Sequence, residues 1–412
     1  MAFWYLPVPT KPVPLRAYHE KTMSQHPQES IFTLKFWLLC ASSFLFSSSF
    51  NMLIPELPAY LSSMGGGEYK GYIIALFTLT AGISRPFSGR LTDTIGRVPV
   101  MAVGSLVCFV CGLLYPVLTT ITGFLLLRLF HGFSTGFKPT ATAAYIADII
   151  PAHRWGEAMG IHGICFSTGL AIGPAIGSYI TARYSIDVLF YCSSVFALLS
   201  IGILANMKET LSEKQRFKPS LLKIKGADIL EPLVLPAAII TFLGYISYGA
   251  ILTIIPDWSE HVGITNKGTF YIVYTLSSLL IRFIAGKLSD RKGRVYALKI
   301  ALVLMVAAIV IMGYGTSVTT LLFGAFVYGL GTGLLSPAIS AWTADLSDEN
   351  RRGRGMATMY IALEIGIGLG AWLAGLVFQD NLQVVPYIFY GTAVSCMLGL
   401  MYLVVKHPRK KA

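Results

Sequence analysis

The sequence predicts an all-α membrane protein, with twelve transmembrane helices in two pseudo-symmetric bundles of six. Three observations predict it. Of 412 residues, 54% are hydrophobic and only 13% charged, about half the charge of a soluble domain. Twelve apolar runs are each about 20 residues or longer, enough to cross a hydrocarbon core of about 30 Å as helices. The second half of the chain also repeats the first at an offset of 197 residues, Arg85 matching Arg282. A β-barrel would need alternation of polar and apolar residues, which these runs lack.

Residues 1–35 form a polar lead carrying Pro7, Pro9, Pro12 and Pro14. It has no basic segment followed by an apolar one, so no cleavable signal peptide is expected. Met23 offers a second start, and initiation there should keep full activity. The runs fall at 36–60, 70–90, 98–118, 121–149, 157–182 and 187–207, then 233–255, 268–287, 296–315, 318–345, 355–378 and 384–405. This gives an amino-terminal bundle over 36–207, a basic linker over 208–231, a carboxyl-terminal bundle over 232–406 and a tail over 407–412. The linker holds six lysines and arginines and reads as a solvated segment against anionic headgroups.

The net charge is +12. Its carriers sit in short loops between apolar runs, which points to membrane orientation and away from nucleic acid. By our placement, twenty-seven of the 32 lysines and arginines lie on one side. That side is expected to be cytoplasmic, with both termini inside. All six cysteines fall inside apolar runs and read as small hydrophobes.

The most informative stretch is Gly89-Arg90-Leu91-Thr92-Asp93-Thr94-Ile95-Gly96-Arg97, read as a tight charged turn between runs 2 and 3. It recurs as Gly286 to Arg294, with Asp290 and Gly293 in matching places. The register continues: Gly132 meets Gly329, Asp148 meets Asp345, and Gly169 and Gly173 meet Gly366 and Gly370. An internal duplication of this kind is expected of transporters built from parallel repeats. Run 4 adds Arg128-Leu129-Phe130-His131-Gly132. Run 5 adds Gly160, Gly169, Gly173-Pro174 and Gly177; the last three glycines, four apart, form a small-residue face for close helix packing, which Pro174 can bend.

On these residues the chain resembles the Major Facilitator Superfamily over nearly its whole length, and within it the drug:proton antiporter branch. His131 stands where glutamine is usual, and Ser178 replaces the last glycine of the run 5 motif. The resemblance implies two six-helix halves rocking about a central site, with Asp93, Arg97 and Asp148, and Asp290, Arg294 and Asp345, as latches of an inner gate. It implies a monomer in a bacterial inner membrane that exports a small amphipathic or cationic molecule. The proton is the coupling ion, and no other cofactor, metal, nucleotide or nucleic acid is called for. It also places aromatics of runs 7, 8 and 10 at the pocket, among them Tyr245, Tyr248, Tyr271, Tyr274, Tyr328 and Trp342.

The residues themselves suggest where coupling occurs. Arg128, His131, Thr135, Lys138, Thr142 and Tyr145 share one face of run 4. Cations in mid-membrane are costly unless they face water or a partner, so this stripe is expected to line a water-filled pathway. Glu364, about 15 Å into run 11, is the best proton carrier, with Lys138 as a possible neighbouring cation. Glu56, near the outer end of run 1, either joins it or simply reaches surface water. Rival readings are a sugar or metabolite uptake symporter on the same fold, a membrane enzyme, and a non-transporting sensor. No nucleophile elbow, metal cluster or phosphate loop supports the enzyme.

Overall fold

In the computed structural model the described residues are 33–151, 154–223, 230–347 and 352–406. The lead through residue 32, with Met23, and the tail 407–412 lie outside them. The twelve runs are built by fourteen α-helices, and among the described residues there is no strand. In the first half these are α1 (Leu34–Asn51), α2 (Leu57–Ser63), α3 (Lys70–Thr94), α4 (Arg97–Leu114), α5 (Ile121–His131), α6 (Phe133–Ile149), α7 (Trp155–Arg183) and α8 (Ile186–Ala205). In the second they are α9 (Leu235–His261), α10 (Gly268–Lys292), α11 (Arg294–Tyr314), α12 (Val318–Leu346), α13 (Arg352–Phe378) and α14 (Val385–Lys406). Eight of them are each long and apolar enough to cross a membrane, and serines dilute α1.

Among the described residues two runs are divided into separate helices, and run 8 bends by 49° between Arg282 and Ile284. Run 1 stops at Asn51 and restarts as α2. Pro55 and Pro58 lack the N–H that a continuous helix would use, and Pro58 is tolerated in the first turn of α2. Run 4 hitches at Gly132, where a side chain would overlap the carbonyl of Phe77 on α3.

The stretch from Gly89 to Arg97 is not a turn along its length. Helix α3 continues to Thr94, because nothing before Gly96 breaks it. The reversal is confined to Ile95 and Gly96, whose φ of 125° favours glycine. Gly293 does the same at φ 92°, between α10 and α11. Register mates recur as caps too: Thr120 and Ser317 each accept from the backbone N–H three residues on, opening α5 and α12.

Without water to drive helices together, close backbone approach holds the bundle. Gly169, Gly173 and Gly177 bring α7 onto α1; added Cβ atoms would overlap Ser47, Ser48 and Met52. Gly366 and Gly370 bring α13 onto α9 in the same way, against the carbonyls of Phe242 and Ile246. Helix α7 runs unbroken through Pro174.

Candidate transport site between the two halves

The polar stripe of run 4 does not line a pathway. Its cations lie inside the first bundle, surrounded by neutral oxygen. Lys138 Nζ donates to the Ser42 carbonyl (3.1 Å), Ser42 Oγ (2.9 Å), Ser105 Oγ (3.0 Å) and Ser200 Oγ, and lies over the ring of Phe46. Arg128 donates from Nε to the Ile73 carbonyl and from Nη1 to the Tyr115 hydroxyl, above the Phe77 ring. The two ring nitrogens of His131 lie 3.1 Å from the Tyr115 hydroxyl and 3.2 Å from Cys108 Sγ. All three residues are at most 1% exposed. The expectation of a cavity fails because hydroxyls and carbonyls on α1, α3, α4 and α8 meet the cations instead of water. The serines of α1, from Ser42 to Ser49, were the signal that could have shown it.

The other members of the stripe are turned inward as well. Thr135 and Thr142 return their hydroxyls to carbonyls of their own helix, and Tyr145 donates to the carbonyl of Lys208. Glu56 is buried within the first half and accepts from Ser178 Oγ at 2.6 Å. In the second half, Tyr245, Tyr248, Tyr274 and Tyr328 form a chain of rings with centroids 5.9–6.2 Å apart. Tyr328 is fully buried, 2.7 Å from Ser247 Oγ.

At the basic end, Arg97 pairs with Asp148 (3.0 Å) and Asp93 (3.2 Å). Arg294 repeats this with Asp345 (2.9 Å) and Asp290. Each cluster ties helices of its own half. The linker joins the first cluster. Thr210 Oγ1 donates to Asp148 at 2.5 Å, Gln215 N donates to the carbonyl of Thr94, and Arg90 donates to that of Lys223. Glu209 accepts from the N–H groups of Arg97, Val98, Thr210 and Leu211, and so caps α4. Burial pushes its carboxyl up, but the four N–H groups outweigh that and hold it below the usual carboxylate value. This stretch of the linker is fastened to protein, not simply solvated.

The polar contacts between the halves are those the stripe lacks. Arg85 Nη2 on α3 meets Glu364 Oε1 on α13 at 2.6 Å, with the guanidinium 4.7 Å above the Tyr360 ring. The cation beside Glu364 is therefore Arg85 and not Lys138. Arg282, the register mate of Arg85, reaches from α10 to α7 and donates to Ser167 Oγ at 3.3 Å. Ser167 and Glu364 are themselves 197 residues apart. Beside Arg282 a recess of about 520 Å³ opens between α7, α10 and α12, walled in part by Met159, Gly160, Gly163, Ile164 and Leu279.

At the far end the halves are sealed. Lys70 bridges Asp257 (3.0 Å) and Asp380 (2.5 Å). Gly71 lies against Ala371 and Gly375 of α13, and its register mate Gly268 against Pro174 and Ala175 of α7. There is no room for a Cβ at either glycine.

The profile of the Major Facilitator Superfamily matches residues 39–235 and 237–412. The chain belongs to the Major Facilitator Superfamily. This is a family of transporters and not of enzymes, and the chain is a multi-pass membrane protein. Among superfamily relatives, Multidrug resistance protein 2 of Bacillus subtilis is 29% identical over 384 residues, covering 89% of this chain and 94% of the relative. Quinolone resistance protein NorA of Staphylococcus aureus is 23% identical over 389 residues, covering 91% and 97%. Of solved superfamily folds, the inward-open xylose transporter XylE from E. coli superposes with a TM-score of 0.75 at 14% identity, covering 93% of this chain and 98% of that one. The human organic anion transporter MFSD10 gives 0.71 at 19%, covering 92% and 100%.

Proposed function

We propose that this chain is a proton-coupled exporter of small amphipathic molecules, working as a monomer by alternating access. The membrane is a bacterial inner membrane, with both termini and the basic end in the cytoplasm. The observation that carries coupling is the Arg85–Glu364 pair, a carboxylate and a cation at 2.6 Å from opposite halves. A ligand shifts a conformational equilibrium only by its different affinity for the two states. A proton on Glu364 meets this condition, because it removes the charge that fastens α3 to α13 while Arg85 keeps its place over Tyr360. The asymmetric distribution of lysine and arginine supports the orientation. The relatives named for multidrug and quinolone resistance support export and an amphipathic cargo.

Glu364→Gln tests the coupling. In vesicles with an imposed pH gradient, wild-type protein is expected to move substrate uphill, with protons running the other way. The variant is expected to lose both uphill movement and its dependence on pH. Uphill export with unchanged pH dependence in the variant would refute the coupling role. Flux in the same direction as the protons would favour the uptake reading instead.

A further inference from the structure

We propose that the recess between α7, α10 and α12 binds an anionic group of the cargo, a carboxylate or its equivalent, on Arg282. That the bound molecule is cargo rests on the exporter reading above; that the recess takes an anion rests on the geometry alone.

The internal repeat provides the comparison. Arg85 and Arg282 are equivalent, and so are the positions they reach across the halves, Glu364 and Ser167. At the first site a guanidinium meets a carboxylate at 2.6 Å. At the second it meets only a neutral hydroxyl at 3.3 Å; the Nε of both arginines is buried with no acceptor, so the difference between the sites is the missing carboxylate. Among the described residues no carboxylate lies within ion-pair distance of Arg282. A guanidinium cannot shed its charge, and it presents a planar fork of donors that suits a carboxylate. Away from water an unpaired cation is costly, so an incoming anion gains the pairing that the protein does not supply.

The recess has space for the rest of such a molecule. Its volume of about 520 Å³ is in the range of small-molecule sites. Nothing lies within 4 Å of where a Cβ would stand on Gly160 or Gly163, so at these two positions α7 leaves open space. Met159, Ile164 and Leu279 give an apolar surface, and no acidic side chain is among the walls. An apolar or aromatic body with an anionic end fits this site, whereas a purely cationic molecule meets a like charge.

The test compares a fluoroquinolone acid with its ethyl ester, which keeps the amine and removes the carboxylate. Binding of both to the purified full chain is measured by the ligands' own fluorescence. The wild type is expected to prefer the acid, and Arg282→Gln to lower the acid-to-ester affinity ratio about ten- to a hundredfold, the range of a charge-assisted hydrogen bond. Ser167→Glu is expected to lower the ratio as well, by supplying the internal carboxylate that Arg85 already has. If Arg282 is a packing residue, or if chloride satisfies it, the ratio will be the same in wild type and both variants, and the proposal is overturned. Proton-driven flux of the fluoroquinolone acid in vesicles is measured in parallel. Its absence overturns the exporter reading, while the ratio still decides the anion site.

Discussion

Lys138 illustrates how a single residue is paid for inside a membrane bundle. A cation at mid-depth costs several kcal/mol unless it is solvated or partnered. Here four oxygen atoms from α1, α4 and α8 replace the water, none of them charged. The hydroxyls also bond one another, Ser42 with Ser200 at 2.9 Å and Ser105 with Ser200 at 3.3 Å. Lys138→Met therefore leaves a cluster that can partly satisfy itself. We expect a loss of about 1–2 kcal/mol, read as a lower melting temperature in detergent. Cargo affinity of the folded fraction should hold, because the ammonium is enclosed within one half. Weaker binding at unchanged stability would return Lys138 to the transport pathway.

At the scale of elements, α7 divides its glycines between two uses. Gly177 lies against the Met52 carbonyl, which cannot move aside. Gly177→Ala is expected to separate α7 from α1 at a cost of about 1–3 kcal/mol. Gly160 has open space where its Cβ would be, so Gly160→Ala should be neutral or gain up to about 1 kcal/mol from helix propensity. Melting temperatures of the pair decide the matter, and equal shifts would contradict the division. The linker behaves as a strap. The folded Glu209 carboxyl titrates below its ordinary value of 4.5. Its contribution is therefore present above the unfolded pKa and is lost as pH falls through the lower folded value. A spin label at position 214 should gain mobility only below about pH 4.5, and Glu209→Gln should make it mobile at every pH. Mobility independent of pH in the wild type would remove Glu209 as the fastening.

At the scale of the molecule, the twelve runs and the duplication were legible because lipid leaves a chain little choice of secondary structure. Arg97 with Asp148 and Arg294 with Asp345 could be anticipated from their register. The polar contacts across the halves could not, since Arg85 and Glu364 are 279 residues apart and only packing brings them together. Once one such pair is known, the repeat predicts the other, and Ser167 stands where an acid would be. The same symmetry bears on alternating access. Gly71 and Gly268 close the far end at equivalent places, each just after a lysine, but only Lys70 bridges the halves, to Asp257 and Asp380, whereas Lys267 pairs with Glu260 of its own half. Lys70→Gln leaves Asp257 and Asp380, both of the second half, without the cation that ties them to α3. Losing one charged contact favours the state open at that end by about ten- to a hundredfold, which makes a minor population measurable. Spin labels at Ser63 and Gln383, exposed on opposite halves, should report a longer distance in the variant. An unchanged distance distribution would mean that the glycine contacts alone hold the far end shut.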